Sequence, residues 1–142
     1  MATPQIVLDT NVLVAALRSR RGASSKLLTL IGTGRFEIHI SVALVLEYEE
    51  VLTRYQVELG LSRDDVADLV DAICSLARAH EVHFQWRPYL HDPDDDFLLD
   101  LAVAAGCGYI STFNQRHFAG VERFGIIVMT PGEFLKSIGA GQ

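Results

Sequence analysis

Acidic residues stand in this sequence at two places where chemistry is plausible. Asp9 directly follows the apolar stretch Ile6–Leu8, and four more acids lie close together further on, namely Asp92, Asp94, Asp95 and Asp96. Ionised carboxylates that share a cleft repel one another strongly unless a cation lies between them. Mg²⁺ and Mn²⁺ prefer oxygen ligands, and such a metal activates water and stabilises the charge that develops on a phosphodiester. The acids indicate metal-dependent hydrolysis, provided that the fold brings them together.

Local structure explains some of these acids better than others. Asp92 as a helix N-cap and Asp94 in the first turn are accounted for by capping and by the helix dipole alone. Asp9 has no such explanation, because Thr10 or Asn11 would meet any capping need at that place. A functional role is therefore favoured for Asp9.

Glu47 is the other acid whose position is informative. Leu44 lies three residues before it and Val51 four residues after it, so Glu47 borders the apolar face of its predicted helix. A carboxylate there is costly unless something pairs with it. Glu47 is thus a candidate metal ligand, and a buried pair with an arginine is the alternative. Glu50, by contrast, has Arg54 four residues on, which is an ordinary solvent-exposed pair.

Short apolar stretches alternate with helical patterns along the chain. We predict strands over 5–8, 36–40, 82–86, 109–112 and 126–129, and helices over 11–18, 24–31, 42–59, 62–80 and 93–105 with a short final one after Thr130. Ser62 with Asp65 and Thr130 with Glu133 have the spacing of capping boxes. This alternation predicts one α/β domain over residues 1–142, with three layers, α/β/α, around a parallel sheet of four to five short strands.

In an open parallel sheet, ligands bind at the carboxyl ends of the strands. Asp9 and Asn11 follow the first predicted strand, and Thr112 and Asn114 end or follow the fourth. The acidic run follows the third strand and begins its helix. We therefore expect these distant segments to meet at one edge of the sheet.

The same residues resemble the PIN domain family. Val7–Val14, with its Asp9-Thr10-Asn11 core, is similar to the opening motif of that family, and Leu46–Leu52 is similar to the segment that carries its helical glutamate. The segment 92–112 resembles the second half of the domain. The resemblance runs in the right order from about Ile6 to Phe134, and is nearest to the toxins of VapBC-type toxin–antitoxin pairs. It implies a PIN-like fold and an Mg²⁺- or Mn²⁺-dependent endoribonuclease.

The resemblance also implies which residues form the site. Asp9 and Glu47 match directly, and the third acid is placed at Asp96 because Asn114 follows it by 18 residues; Asp95 is a close competitor. Asp9 and Asp96 are the implied metal ligands. Asn11 and Thr112 are possible additional members. Asn114 stands where many relatives carry an acid, which implies weaker metal binding because an amide oxygen brings no charge.

Composition and charge bound the remaining expectations. The net charge of −6 argues against a nonspecific nucleic-acid binder, but bases cluster locally, and Arg18, Arg20, Arg21 and Arg116 are candidate contacts for RNA phosphates. A solvated loop or a contact for an acidic partner explains the first three equally well, and a plain surface loop explains Arg116 and the adjacent His117 better. No apolar stretch predicts a membrane span or signal peptide, so a cytoplasmic location is expected. The resemblance implies an RNA substrate, an antitoxin partner and a homodimer.

Two other readings remain open at the level of sequence. One keeps the fold but not the chemistry, and gives a module that binds RNA or an antitoxin, with Asn114 marking lost catalysis. The other is a haloacid-dehalogenase-like phosphatase, which also begins with a strand ending in an aspartate. That mechanism needs a second acid two residues later, where this chain has Asn11, and the only lysines, Lys26 and Lys136, do not stand out as catalytic.

Overall fold

The computed structural model describes residues 2–83, 90 and 93–140, and for residues 93 and 94 it describes the backbone only. Five parallel strands form its sheet in the order β3-β2-β1-β4-β5. They are β1 (Gln5–Leu8), β2 (Glu37–Ile40), β3 (Arg78–Ala79), β4 (Tyr109–Ser111) and β5 (Ile127–Met129). In this order β1 is central. Strands β2 and β3 are added on one side of β1, and strands β4 and β5 on the other, so β1 and β4 form a topological switch point, where open sheets bind ligands.

Six α-helices connect and flank these strands. They are α1 (Thr10–Arg18), α2 (Ala23–Thr29), α3 (Val42–Arg54), α4 (Arg63–Leu76), α5 (Pro93–Ala105) and α6 (Pro131–Ser137). Two 3₁₀ turns, Gln115–Phe118 and Val121–Phe124, join β4 to β5. The result is the three-layer α/β/α architecture that the alternation of apolar stretches predicted.

The central strand β1 is buried on both faces, which is why its sequence is a continuous apolar stretch rather than an alternating one. Ile6, Val7 and Leu8 are each at most 1% exposed. From α3, the buried Tyr48 donates a hydrogen bond of 2.6 Å to the carbonyl oxygen of Leu8. This contact ties α3 to the carboxyl end of β1, where the candidate site residues begin.

Both predicted capping boxes are confirmed. In α4, Ser62 Oγ accepts from the amide of Asp65, and the Asp65 carboxylate accepts from the amide of Ser62. Thr130 and Glu133 make the equivalent pair at the start of α6. Ser41 caps α3 by accepting from the amide of Leu44. These reciprocal bonds satisfy amides that a helix start leaves without partners.

Two predicted helix ends are wrong. The helix α3 stops at Arg54 rather than near Leu59, and residues 55–60 form turns. The helix α4 stops at Leu76 rather than at His80, because the chain becomes extended at Ala77 and pairs with β2. The amide of His80 donates to the carbonyl of Ile40 at 2.9 Å. Pairing with the sheet edge thus outweighs the helix propensity of this segment.

The third strand of the sheet is accordingly β3, which precedes the predicted strand at 82–86. Val82 and His83 lie in no strand, and residues 84–86 lie outside the described residues. The predicted N-cap, Asp92, also lies outside them. The helix α5 spans Pro93–Ala105, as predicted. No helix in the described part of the chain is long and apolar enough to cross a membrane.

Candidate active site

The adjacent strands β1 and β4 bring Asp9 and Thr112 together, as their parallel ends predict. Leu8 pairs with Ser111, and the Asp9 amide donates to the Ser111 carbonyl at 2.9 Å. The fully buried Thr112 hydroxyl donates to Asp9 Oδ2 at 2.8 Å. The last ladder bond and this side-chain bond together fix the aspartate at the carboxyl edge of the sheet.

Asp9 is a carboxyl group held in a place that penalises its charge. Its backbone is the N-cap of α1, yet its side chain makes no capping hydrogen bond, so the carboxylate is not used to begin the helix. Burial raises the pKa of Asp9 above its ordinary value, although the hydrogen bond from Thr112 and the nearby amides of Thr10 and Asn11 oppose the rise. Desolvation wins because three donors replace water incompletely.

Glu47 reaches the same place from α3. Its carboxylate accepts a short hydrogen bond from the hydroxyl of Thr10, the residue next to Asp9. Its neighbour Tyr48 anchors this turn of α3 to Leu8. Tyr48 itself is buried in the core. The role of Thr10 in holding Glu47 had no signal in the sequence, because the two lie 37 residues apart.

The two neighbouring acids at the start of α5 point to different surroundings. Asp95 lines the cleft that also contains Asp9 and Glu47, and its Oδ2 lies 3.2 Å from Nδ1 of His117. Asp96 is fully buried, and its Oδ1 accepts from the amide of Leu90 at 2.8 Å. Successive helical residues differ in direction by about 100°. The structure therefore brings Asp95, and not Asp96, together with the other two acids.

The remaining polar residues of the edge form a connected set around Thr112. Its hydroxyl accepts from the Asn114 amide at 3.0 Å and lies 3.4 Å from Nδ2 of Asn11. Asn11 Oδ1 in turn accepts from the amide of Phe113 at 3.4 Å. Asn114 lines the cleft with its side chain exposed. All four residues, Asn11, Thr112, Phe113 and Asn114, are thus positioned by bonds that converge beside Asp9.

We call this cleft the acidic cleft; its volume is about 660 Å³, and Asp9, Glu47, Asp95 and Asn114 are among its lining residues. Its other end is lined by Arg18, Ser19, Arg54 and Tyr55. Carboxylates and amide oxygens thus occupy one end, and two cations with an aromatic ring occupy the other. Both ends belong to one open groove.

The cations of the acidic cleft are steadied by neighbours. Arg18 lies 3.0 Å from Glu58 and 5.5 Å from the centre of the Tyr55 ring. Arg54 makes the expected pair with Glu50 at 2.7 Å, and it lines the cleft as well, which the pair alone did not suggest.

The other predicted contacts for RNA do not line the acidic cleft. Arg20 and Arg116 are exposed, and Arg21 lines a separate pocket. His117, which the sequence indicated as part of a plain surface loop, pairs instead with Asp95. Of the predicted basic contacts, Arg18 alone among the described residues lies in the cleft with the acids.

The donor atoms of the acidic cleft fit a hard divalent cation. Asp9, Glu47 and Asp95 offer carboxylate oxygens and Asn114 an amide oxygen, the ligand types that Mg²⁺ and Mn²⁺ prefer. A cation beside Asp9 would also offset the desolvation that raises its pKa. In the part of the chain that is described, however, no three acids, histidines or cysteines are grouped closely enough to be a preformed metal site.

Comparison with known proteins identifies the family and the fold of the chain. A family model described as "PIN domain" matches residues 5–116. The chain is also similar to one chain in the crystal structure of VapBC2 from Rickettsia felis bound to a DNA fragment from their promoter. The TM-score is 0.59 and the sequence identity 14%, over 87% of this chain and 96% of that chain. At that identity the likeness concerns the fold. No curated protein sequence matches significantly.

Proposed function

Because the chain belongs to the PIN domain family, we propose that it is a metal-dependent endoribonuclease and the toxin of a toxin–antitoxin pair. One observation supports the chemistry above the others. Acids from three separate elements, the end of β1, the middle of α3 and the start of α5, line one cleft. Neither helix capping nor solvation requires acids from three distant segments to lie together. A bound cation does explain it, because it would offset the repulsion between their carboxylates.

We propose Asp9, Glu47 and Asp95 as the catalytic acids, with Asn114 as the fourth member. Asp95 takes the place that the sequence favoured for Asp96, because the buried Asp96 uses one oxygen to hold the Leu90 amide. Asp96 then has a structural role, because it holds Leu90 against the start of α5. Asp9 and Asp95 are the proposed metal ligands, and Glu47 reaches the same cleft from α3.

The proposed roles follow from the contacts of each side chain. When bound, Mg²⁺ or Mn²⁺ supplies a water activated for attack and a counter-charge for the phosphodiester. Thr112 holds the Asp9 carboxylate with its hydroxyl, and Thr10 holds Glu47. His117 holds Asp95. Asn114 offers an amide to the substrate or to water without adding charge. The cations Arg18 and Arg54 contact the phosphates of the strand that leaves the acids.

The experiment that tests this proposal is cleavage of a mixed pool of structured and single-stranded RNA. Purified protein is incubated with Mg²⁺, with Mn²⁺ and with EDTA, beside an Asp9→Asn variant. We expect cleavage that needs metal and that falls at least about a hundredfold in the variant, because the substitution removes a ligand charge from the centre of the site. Absence of cleavage with either metal, in folded protein free of any partner, would refute the nuclease.

A second candidate function is a module that binds RNA or an antitoxin without cutting. Asn114 favours it, because this position lacks the charge that would strengthen metal binding. The two functions differ in Asn114→Asp. A nuclease with a weakened site gains activity or metal affinity from the added carboxylate, whereas a binding module gains neither. Metal-dependent turnover measured for both proteins at a range of Mn²⁺ concentrations separates the two.

The proposal includes an antitoxin partner, homodimer formation and a cytoplasmic location. The fold shared with a chain of the VapBC2 complex supports the partner. The exposed Val42 and Leu46 on α3, at 74% and 60%, give the chain an apolar surface that an interface would cover. Light scattering of the purified protein tests the dimer. Co-expression with the product of an adjacent gene, scored by relief of growth arrest, tests the antitoxin.

A further inference from the structure

A pocket separate from the acidic cleft is lined by three cations. Arg21, Lys26 and Lys136 meet there, around a floor that includes Gly22 and Gly132, and the pocket encloses about 230 Å³. We call it the cationic pocket. Lys26 and Lys136 are the only lysines of the chain and lie far apart in sequence. The contact between α2 and α6 brings them to one place.

The charge of the cationic pocket is not neutralised by its neighbours. No acidic side chain is among its lining residues. Within the described residues, none of the three cations makes an ion pair of 4.0 Å or less, whereas Arg18, Arg54 and Arg78 each do. The positive charge of Lys136 contributes to lowering the pKa of Glu133, but it is the smallest of the causes. The Glu133 carboxylate already accepts hydrogen bonds from Thr130 and Gln115. Three cations that share a pocket repel one another and favour a bound anion.

The cationic pocket also lies beside the acidic cleft along the chain. Arg18 and Ser19 line the acidic cleft, and Arg21 lines the cationic pocket. Three residues span at most about 10 Å when fully extended. The two linings are therefore near each other at this point, within reach of a strand whose scissile phosphate lies among the acids and whose next phosphates follow Arg18.

We propose that the cationic pocket binds a backbone phosphate of the RNA strand, away from the site of cleavage. The inference rests on the proposed function for its choice of RNA as the source of the phosphate. A chain with a net charge of −6 repels RNA overall, so it needs local cations to hold the strand. The pocket supplies them at a fixed distance from the acids and thereby sets a minimum length of substrate.

The test measures RNA binding apart from cleavage. In an Asp9→Asn background, the affinity for a labelled single-stranded RNA is measured by fluorescence anisotropy over a series of salt concentrations. Lys26→Gln/Lys136→Gln is compared with Arg63→Gln/Arg123→Gln, which removes the same charge from exposed positions outside both linings. Each lost phosphate contact lowers the slope of log K against log salt by about 0.7 for a single strand. We expect a fall of about 0.7 for the lysine pair, because the pocket binds one phosphate, and little change for the control.

Length and ligand identity complete the test. A dinucleotide is too short to reach the pocket, so the lysine pair should not alter its affinity, whereas the affinity of a long strand should fall about tenfold. Equal effects of the two double variants on the long strand would overturn the inference. So would loss of binding to inorganic phosphate or to a polyglutamate peptide with RNA affinity unchanged, which would assign the pocket to a free anion or to a protein. If wild-type protein never cuts RNA but the lysine pair governs RNA binding, the nuclease fails and the pocket stands.

Discussion

Two groups of polar side chains, each with one buried ionisable residue, lie near the central strand β1. One is the acid-bearing end of the acidic cleft around Asp9. The other, which we call the histidine cluster, consists of His39 on β2, His80 after β3 and Gln5 on β1. Burial is the largest cause of the pKa shift in both, and in both it favours the neutral form, since the pKa of Asp9 is raised and that of His39 is lowered.

The histidine cluster is satisfied when it is neutral. Gln5 uses its amide nitrogen to donate to Thr3, so its oxygen accepts from Nε2 of His39. Nδ1 of His39 is then the acceptor, and it lies 2.6 Å from Nε2 of His80, which must donate. The two rings stack with centres 4.8 Å apart. Every bond in this series is made by uncharged groups, so burial costs it little.

The acidic cleft differs because the neutral, protonated form of Asp9 would not contribute to metal binding. A protonated Asp9 would not attract a cation, and an ionised one has incomplete compensation for lost water. The comparison teaches that a buried ionisable group stabilises the fold where neutral partners complete its hydrogen bonds, as at His39. Where the group needs its charge, as we propose for Asp9, burial has a cost. Four substitutions, in three experiments, sharpen this contrast.

The largest effect should separate Asp95 from Asp96, two adjacent carboxylates with different surroundings. We expect Asp95→Asn to lower kcat/KM for RNA at least about a hundredfold with Tm unchanged, because Asp95 lines the cleft. Asp96→Asn should keep activity close to wild type. It should lower the free energy of unfolding by about 1–3 kcal/mol, because the side chain is fully buried and Oδ2 of Asp96 has no hydrogen-bond partner. The N–H groups of the new amide would therefore have no acceptor.

The two variants are each other's control, since the substitution is identical and the positions are neighbours. Cleavage kinetics and thermal unfolding are measured on both. Loss of activity in Asp96→Asn at full stability, with Asp95→Asn still active, would return the third acid to the position that the sequence first favoured.

A smaller effect concerns the cost of the charge on Asp9. Without metal, Asp9→Asn should raise the free energy of unfolding by about 1 kcal/mol, or Tm by roughly 4 °C, because the amide keeps an acceptor for Thr112 and removes a buried charge. Added Mn²⁺ should raise Tm of the wild type and not of the variant. Scanning calorimetry with EDTA and with Mn²⁺ measures both. Equal stabilisation of the two proteins by Mn²⁺ would show that the metal binds elsewhere.

The meeting of β1 and β4 was predictable, and the choice between Asp95 and Asp96 was not. Asp9 and Thr112 each follow an apolar stretch, and parallel strands align their carboxyl ends, so their contact follows from topology. The helix α5 has apolar residues on most of its sides, with Leu98, Leu99 and Leu101 all buried. When apolar residues lie on all sides of a helix, the sequence does not show which side faces the core, and so it does not show which residue of the first turn faces the cleft. Tertiary packing alone decides which acid faces the cleft.

The strand β3 escaped prediction for a related reason. Arg78 and Ala79 are both exposed, so the strand has no alternation of buried and exposed residues. The residues around it favour helix, and no glycine or proline ends α4. Its formation depends on the open edge of β2, a partner 39 residues back in the chain at His39↔Arg78. The sequence of residues 78–79 and their neighbours therefore does not indicate that this strand forms.

The smallest predicted effect lies in the histidine cluster and depends on pH. Because the pKa of His39 is lowered by burial and then by His80 and Arg78, against Glu37, the unfolded chain takes up a proton at His39 more readily than the folded one. The stability that the neutral ring contributes is therefore complete above its ordinary value of 6.5 and declines as pH falls below it. Protonation of Nδ1 would remove the bond from His80, worth about 1 kcal/mol.

His39→Gln keeps a donor and an acceptor without titrating. In urea unfolding measured between pH 7.5 and pH 5, the free energy of unfolding of the wild type should therefore fall by about 1 kcal/mol more than that of the variant. Parallel curves for the two proteins would mean that the cluster holds a proton as readily folded as unfolded, and the contrast with Asp9 would then rest on the acidic cleft alone.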